Sequence, residues 1–326
     1  MVVGVPRSGT TWTARVLSEA HQTSLLHEPD NEKINVLAFR WKHGYHRMPY
    51  IREAEMEPVY AGFWRHILDY DFLPSATVLN KSLLRGFNLN STRLENYVRD
   101  KCRQANNSQP HAFQTSPYDQ ITRVLSKASF FYYKSRSRRR IVKSVHTGLA
   151  LPFLYQHFRP QVLLVFRHPA NVVSSCLQLG LYDANREIFR QTALAEDFLE
   201  PYMEKIERLK DPVALMSLQV SIFYYIWEQQ LKENPKWLSV THESLCNEPE
   251  GSFRTLYEEL GLEWRREVGE FLLTHDTDGI GYEIRRKAAG QIDKWRQKLT
   301  PDQVESVQKG YGILPVRHYH EFSTNR

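Results

Sequence analysis

Val2-Val3-Gly4-Val5-Pro6-Arg7-Ser8-Gly9-Thr10-Thr11-Trp12-Thr13-Ala14-Arg15-Val16-Leu17 is the stretch that decides the reading of this chain. An apolar run over 2–5 ends in a Pro-Arg-Ser-Gly turn and passes at once into a helical pattern over 10–20. Strand, tight loop and helix in that order leave unpaired backbone N–H groups and the positive end of a helix dipole at the loop. Gly4 and Gly9 match the G-x-x-x-x-G outline of a phosphate loop, but Thr10 stands where a nucleoside triphosphatase carries its lysine. The positive charge lies inside the loop instead, at Arg7, among the hydroxyls of Ser8, Thr10 and Thr11. A guanidinium is a planar, permanently charged fork suited to phosphate or sulfonate oxygens. The pattern predicts a cradle for a phosphate ester other than ATP.

Beyond the loop, apolar runs at 24–27, 140–144, 161–166 and 237–241 alternate with helical patterns at 149–158, 170–179 and 251–260. Such alternation predicts an α/β class, a P-loop-like three-layer fold with a central, mostly parallel sheet of about five strands. With 326 residues and 41% hydrophobic content, the chain reads as a single domain over 1–326. Residues 40–133 read as a mainly helical, aromatic-rich insertion (Trp41, Tyr45, Tyr50, Tyr60, Phe63, Trp64, Tyr70) over the C-terminal edge of the sheet, where α/β proteins bind ligands. Most of these aromatics read as core packing.

Cys102, Cys176 and Cys246 are odd in number and widely spaced, which fits neither a disulfide framework nor a metal motif and points to a reducing, cytoplasmic setting. The sequence holds no run of about 18 apolar residues and no secretory leader pattern. Met1 abuts the first strand, so the reading allows for a segment upstream. A net charge of +6 suits anionic ligands. The basic run at 134–140 reads as a solvated face.

A second anion site is legible farther on. Arg167 closes the 161–166 strand, Pro169 suits a first helical turn, and Ser174 and Ser175 follow within the helix. An Arg at a strand tip and a Ser eight residues later can grip one phosphate together. Two anion grips imply a nucleotide with two separate phosphates.

These residues resemble a known family. Pro6-Arg7-Ser8-Gly9-Thr10-Thr11-Trp12, followed by Arg167-His168-Pro169-Ala170-Asn171-Val172-Val173-Ser174-Ser175, is similar to the sulfotransferases that use 3′-phosphoadenosine 5′-phosphosulfate (PAPS). Their closing nucleotide segment resembles Arg286-Lys287-Ala288-Ala289-Gly290 with Lys294-Trp295-Arg296 and Leu299-Thr300-Pro301, although Ala288-Ala289 interrupts the usual Arg-Lys-Gly triplet. His242-Glu243-Ser244-Leu245 resembles their late strand–loop–helix. The resemblance implies that Arg7, Ser8, Gly9, Thr10 and Thr11 hold the 5′-phosphosulfate and that Trp12 packs on the adenine. It implies that Arg167 and Ser175 hold the 3′-phosphate with help from Arg286 and Lys287. The desulfonated product would be adenosine 3′,5′-bisphosphate (PAP), with no metal involved.

Two residues compete for the general base. Glu28, in His27-Glu28-Pro29 at the end of the second strand, resembles the base of the carbohydrate and tyrosylprotein branches. His146 lies three residues after Lys143, one more than in the small-molecule branch, and a one-residue shift turns a strand side chain to the other face. Glu28 is therefore favoured and His146 is the alternative. Lys143 resembles a lysine that, with Arg7, stabilises the leaving group. The expected acceptor is a hydroxyl, on a carbohydrate or glycoconjugate by the Glu28 reading, or on a phenolic or lipid-like molecule by the His146 reading. A P-loop kinase and a polyanion-binding module working through 134–140 are the readings from other classes. No nucleic-acid partner is expected, and oligomeric state is left open.

Overall fold

The computed structural model describes residues 1–31, 38, 46–72, 132–134, 139–180, 188–275, 288–319 and 322. A sheet of five parallel strands forms its centre, in the order β2-β5-β1-β6-β7. The strands are β1 (Val2–Gly4), β2 (Thr23–His27), β5 (Arg139–Ser144), β6 (Leu163–Phe166) and β7 (Leu238–Thr241). Two short strands, β3 (Tyr70–Phe72) and β4 (Tyr132–Lys134), pair antiparallel apart from it. The α/β class, the parallel sheet and its five strands agree with the sequence reading, with boundaries shifted by two residues or fewer.

The alternation of side chains across each strand divides the core. Val3, Leu164 and Phe166 face a large cluster that also holds Leu218, Ile222, Phe223 and Trp227. Val2, Leu163 and Val165 face the opposite side, among Ala14, Leu17, Phe253 and Leu256. The first face is covered by α3 (Leu151–Phe158), α4 (Pro169–Gln178), α5 (Pro212–Glu233) and α9 (Pro301–Tyr311). The second is covered by α1 (Thr10–Ser18), α7 (Pro249–Glu259) and α8 (Arg266–His275). Central strands buried on both faces read as continuous apolar runs, which is why β1 and β6 show no alternation in sequence.

The 22-residue α5 carries no sequence assignment above. It is buried nearly all round and has no apolar stripe to reveal it. Its start follows local rules: Asp211 caps the N–H groups of Val213 and Ala214, and Pro212 opens the first turn. It crosses α9 closely. A Cβ on Gly310 would fall 1.9 Å from the Ala214 carbonyl oxygen, so only glycine fits the crossing. The resembling Thr300-Pro301 pair opens α9 with a capping box closed by Gln303.

Of the expected insertion at 40–133, the described part comprises 46–72 with α2 (Pro58–Asp69), and 132–133 at the start of β4. Tyr60, Phe63 and Trp64 are fully buried against α3 and belong to the core. Trp41 and Tyr45 lie outside the described residues.

Candidate functional site

The loop after β1 is built on left-handed backbone. Arg7 has φ 70° and Gly9 φ 92°. A Cβ on Gly9 would fall 2.1 Å from Cδ2 of His242, the first residue of α6 (His242–Asn247), so the loop and the end of β7 close on each other only because residue 9 is glycine. Helix α1 starts at Thr10 with no acidic residue in its first turn, which leaves its positive end to a ligand. Ser8 and Thr10 are buried, and the Ser8 hydroxyl has no hydrogen-bond partner among the described residues. Trp12 packs edge-on against His242 and Phe253, with ring centroids 6.0 and 5.1 Å away. Burial, with Arg167 nearby, holds His242 well below the usual imidazole range, so it is neutral.

The two anion grips read from sequence meet. Arg7 Nε donates to Ser175 Oγ at 2.9 Å, and Arg167 Nη1 donates to the Arg7 carbonyl at 2.8 Å. Arg167 is 8% exposed, and its backbone is bracketed by the Tyr224 hydroxyl, which accepts from the Arg167 N–H at 2.8 Å and donates to its carbonyl at 2.7 Å. Its Nε is buried with no partner among the described residues. An unsatisfied buried donor is costly, and here both Arg167 Nε and Ser8 Oγ stand beside the loop. Next to Ser175, the Cys176 thiol is pushed up to about 11 by burial and is a poor nucleophile.

A second group of charges stands where β2 and β5 end. His27 pairs with Lys143 in register, and Glu28 follows in left-handed backbone (φ 45°), its N–H donating to the Lys143 carbonyl at 2.7 Å. The Lys143 ammonium and the Glu28 carboxylate form an ion pair, 3% and 14% exposed. Asn31 Nδ2 donates to the other carboxylate oxygen at 2.7 Å. Burial pushes the Glu28 pKa up, but Lys143, Asn31 and His27 outweigh it and hold the group below its ordinary value. Burial alone would raise this pKa; the adjoining ammonium reverses the direction. β5 also pairs with β1, Val2 opposite Lys143, so the pair is one strand away from the loop.

A family model described as "Sulfotransferase family" matches residues 1–266. The chain belongs to this sulfotransferase family. Comparison with the curated proteins gives no match. Among solved structures, a sulfotransferase domain from the curacin biosynthetic pathway is 12% identical, with a TM-score of 0.43 over 95% of each chain.

In this sulfotransferase, His146 lies past the end of β5, which closes at Ser144, so strand alternation does not reach it. It is 2% exposed, its N–H donates to Ser144 Oγ at 3.0 Å, and its Nδ1 stands 3.5 Å from the Asp30 carbonyl. Asp30 escaped the sequence reading. It is fully buried, and both its oxygens accept from the Ser144 hydroxyl, at 2.9 and 2.7 Å. Ser144 Oγ accepts in turn from the N–H groups of His146 and Thr147. This chain ties the turn after Glu28 to the turn after Lys143. No spacing in the sequence announces it, because Asp30 and Ser144 are 114 positions apart.

Arg286 and Lys287 lie outside the described residues. The segment that follows them docks on the start of α4: Asn171 Nδ2 donates to the Ile292 carbonyl at 2.6 Å, the Trp295 N–H donates to Asn171 Oδ1 at 3.1 Å, and Trp295 stacks on His168. Of the basic run at 134–140, residues 135–138 lie outside the described residues. Arg139 donates to the Leu260 carbonyl at the end of α7, and Arg140 to the Ile67 and Leu68 carbonyls at the end of α2. These two cations bond helix C-termini on opposite faces of the sheet, Arg139 while still exposed to solvent and Arg140 half-buried.

Proposed function

We propose that this sulfotransferase moves a sulfonate from PAPS to a hydroxyl of a carbohydrate or glycoconjugate. The observation that carries the reading is the buried Lys143–Glu28 pair one strand from a phosphate loop whose Ser8 hydroxyl, like the neighbouring Arg167 Nε, is a buried donor without a partner. Those two atoms suit acceptor oxygens of a ligand. Ser8, Gly9, Thr10 and Thr11 would take the 5′-phosphosulfate at the start of α1, and Arg167 and Ser175 the 3′-phosphate. Trp12, its ring edge-on to His242, would border the adenine. Arg286 and Lys287 would complete the site from the C-terminal side.

The acceptor oxygen attacks sulfur as its proton passes to the Glu28 carboxylate. The new S–O bond forms while the bond from sulfur to the bridging phosphate oxygen breaks, and PAP departs with that electron pair. Arg7 and Lys143 offset the negative charge that grows on the bridging oxygen. As Lys143 turns toward the donor, Glu28 loses part of what depresses its pKa and becomes a stronger base. His146 is the weaker candidate because an acceptor hydroxyl has little access to a ring that is 2% exposed.

Labelled PAPS with a panel of saccharide, phenolic and lipid-like acceptors tests the reaction. Glu28→Gln should lower kcat by about 10²–10⁴ and leave stabilisation by PAP intact. Near-normal turnover of Glu28→Gln together with an inactive His146→Ala would transfer the base to His146. Thermal stabilisation by ATP–Mg²⁺ but not PAP would overturn the donor assignment.

A further inference from the structure

Arg167 is buried, yet no ion pair to it is present among the described residues. The carboxylate near enough to matter is Glu243: burial lowers the Arg167 pKa, and Glu243 is the strongest influence in the opposite direction. Glu243 does not close on the guanidinium, because its oxygens are engaged elsewhere. Oε1 accepts from the His168 N–H at 3.0 Å and lies 3.5 Å from Asn171 Nδ2. Oε2 accepts from the Tyr319 hydroxyl at 2.6 Å.

Tyr319 is held for this contact. Its backbone has φ 61°, which a bulky residue adopts only when its surroundings impose it. Burial, followed by Glu243, pushes its hydroxyl pKa far up, so the group remains a donor. The preceding residues are anchored independently: the Arg317 and His318 N–H groups donate to Glu228 at 2.9 Å, and the His318 ring stacks on Phe166. Loss of the Tyr319 hydroxyl therefore does not release the segment.

We propose that Tyr319 is a positioning residue for the second anion site: with the His168 N–H it holds Glu243 where its charge offsets the buried Arg167 guanidinium without occupying Nε, which stays open to a ligand phosphate. A buried cation without any counter-charge is strongly disfavoured, whereas one paired directly has its charge neutralised and fewer of its five donors open to a ligand. A carboxylate held at a distance satisfies both demands. The idea rests on the reading of Arg167 as the 3′-phosphate site.

The test is calorimetric titration of the full chain with PAP and with adenosine 5′-phosphate, which lacks the 3′-phosphate. The native protein should prefer PAP. In Tyr319→Phe, Glu243 is freed to pair with Arg167, and the preference should fall on the order of ten-fold with affinity for adenosine 5′-phosphate unchanged. In Tyr319→Phe/Glu243→Gln the competing charge is gone and the preference should return, which a merely structural tyrosine would not give. An unchanged preference in Tyr319→Phe, an equal loss for both nucleotides, or a double variant no better than the single overturns the proposal. A native protein with no preference for PAP instead fails the reading of Arg167, and the proposal falls with it.

Discussion

Replacing Lys143 by Met leaves the Glu28 carboxylate in place without its ammonium. At 3% and 14% exposure, little water is available to either group, so removing one partner costs about 3–5 kcal/mol. Glu28 keeps the Asn31 amide and some exposure, which places the loss near about 3 kcal/mol. For a chain of this length that is a fall in Tm of about 6 °C, at about 2 °C per kcal/mol. The Lys143→Met/Glu28→Gln double variant removes the stranded charge and should recover more than half of the loss. The pH dependence has a definite sign. In the native protein the Glu28 pKa is depressed, so its contribution is present above about pH 4.3 and is lost as pH falls through the lower folded value. In Lys143→Met burial has less to oppose it, and the folded pKa rises above the unfolded one. Stability is then fully present below about pH 4.3 and lost as pH rises through the raised value, so the deficit against the native protein widens as pH rises above about pH 4.3 and levels off once the raised value is passed. Scanning calorimetry of the three proteins across that range is the assay. Equal deficits for single and double variants, independent of pH, would refute the coupling of the pair.

Gly9→Ala should abolish thermal stabilisation by PAP, since a Cβ there meets both left-handed backbone and the His242 ring; retained stabilisation would mean that the loop reshapes freely. With Glu28 held below its ordinary pKa, kcat/KM for PAPS should show no acid limb above about pH 5, whereas a limb near about pH 6.5 would point to His146. Arg140→Ala should lower stability by about 1 kcal/mol in denaturant titration through loss of its bonds to the last turn of α2, with PAP binding unaltered.

The loop and the five central strands are local patterns, and each was legible because short apolar runs and a Gly-bearing turn are written within a few residues. Helix α5 was not, although Asp211-Pro212 is a recognisable start, because a helix buried on every side repeats no apolar period. Arg139 and Arg140 read as one charged surface, but strand alternation sends neighbours to opposite faces, where each meets a different helix end. Asp30 and Glu243 were illegible as participants for a common reason. A carboxylate's role depends on which donors the fold brings to it, and Ser144, His168 and Tyr319 come from distant parts of the chain. The direction of the Glu28 pKa is illegible in the same way, because it is set by a lysine on the neighbouring strand.

The place of β1 in the sheet bears on how the protein folds. Its three residues are central, hydrogen-bonded on one side to β5 and on the other to β6, which follow about 140 and 160 residues later. On a ribosome, the strand and the loop it launches emerge long before either neighbour. Contacts of such sequence separation form slowly, because a long stretch of chain must be ordered to close them. The loop is thus synthesised well before the two strands that flank β1 and acquires its shape only after them, and until β6 arrives β1 is a short apolar stretch open to wrong partners.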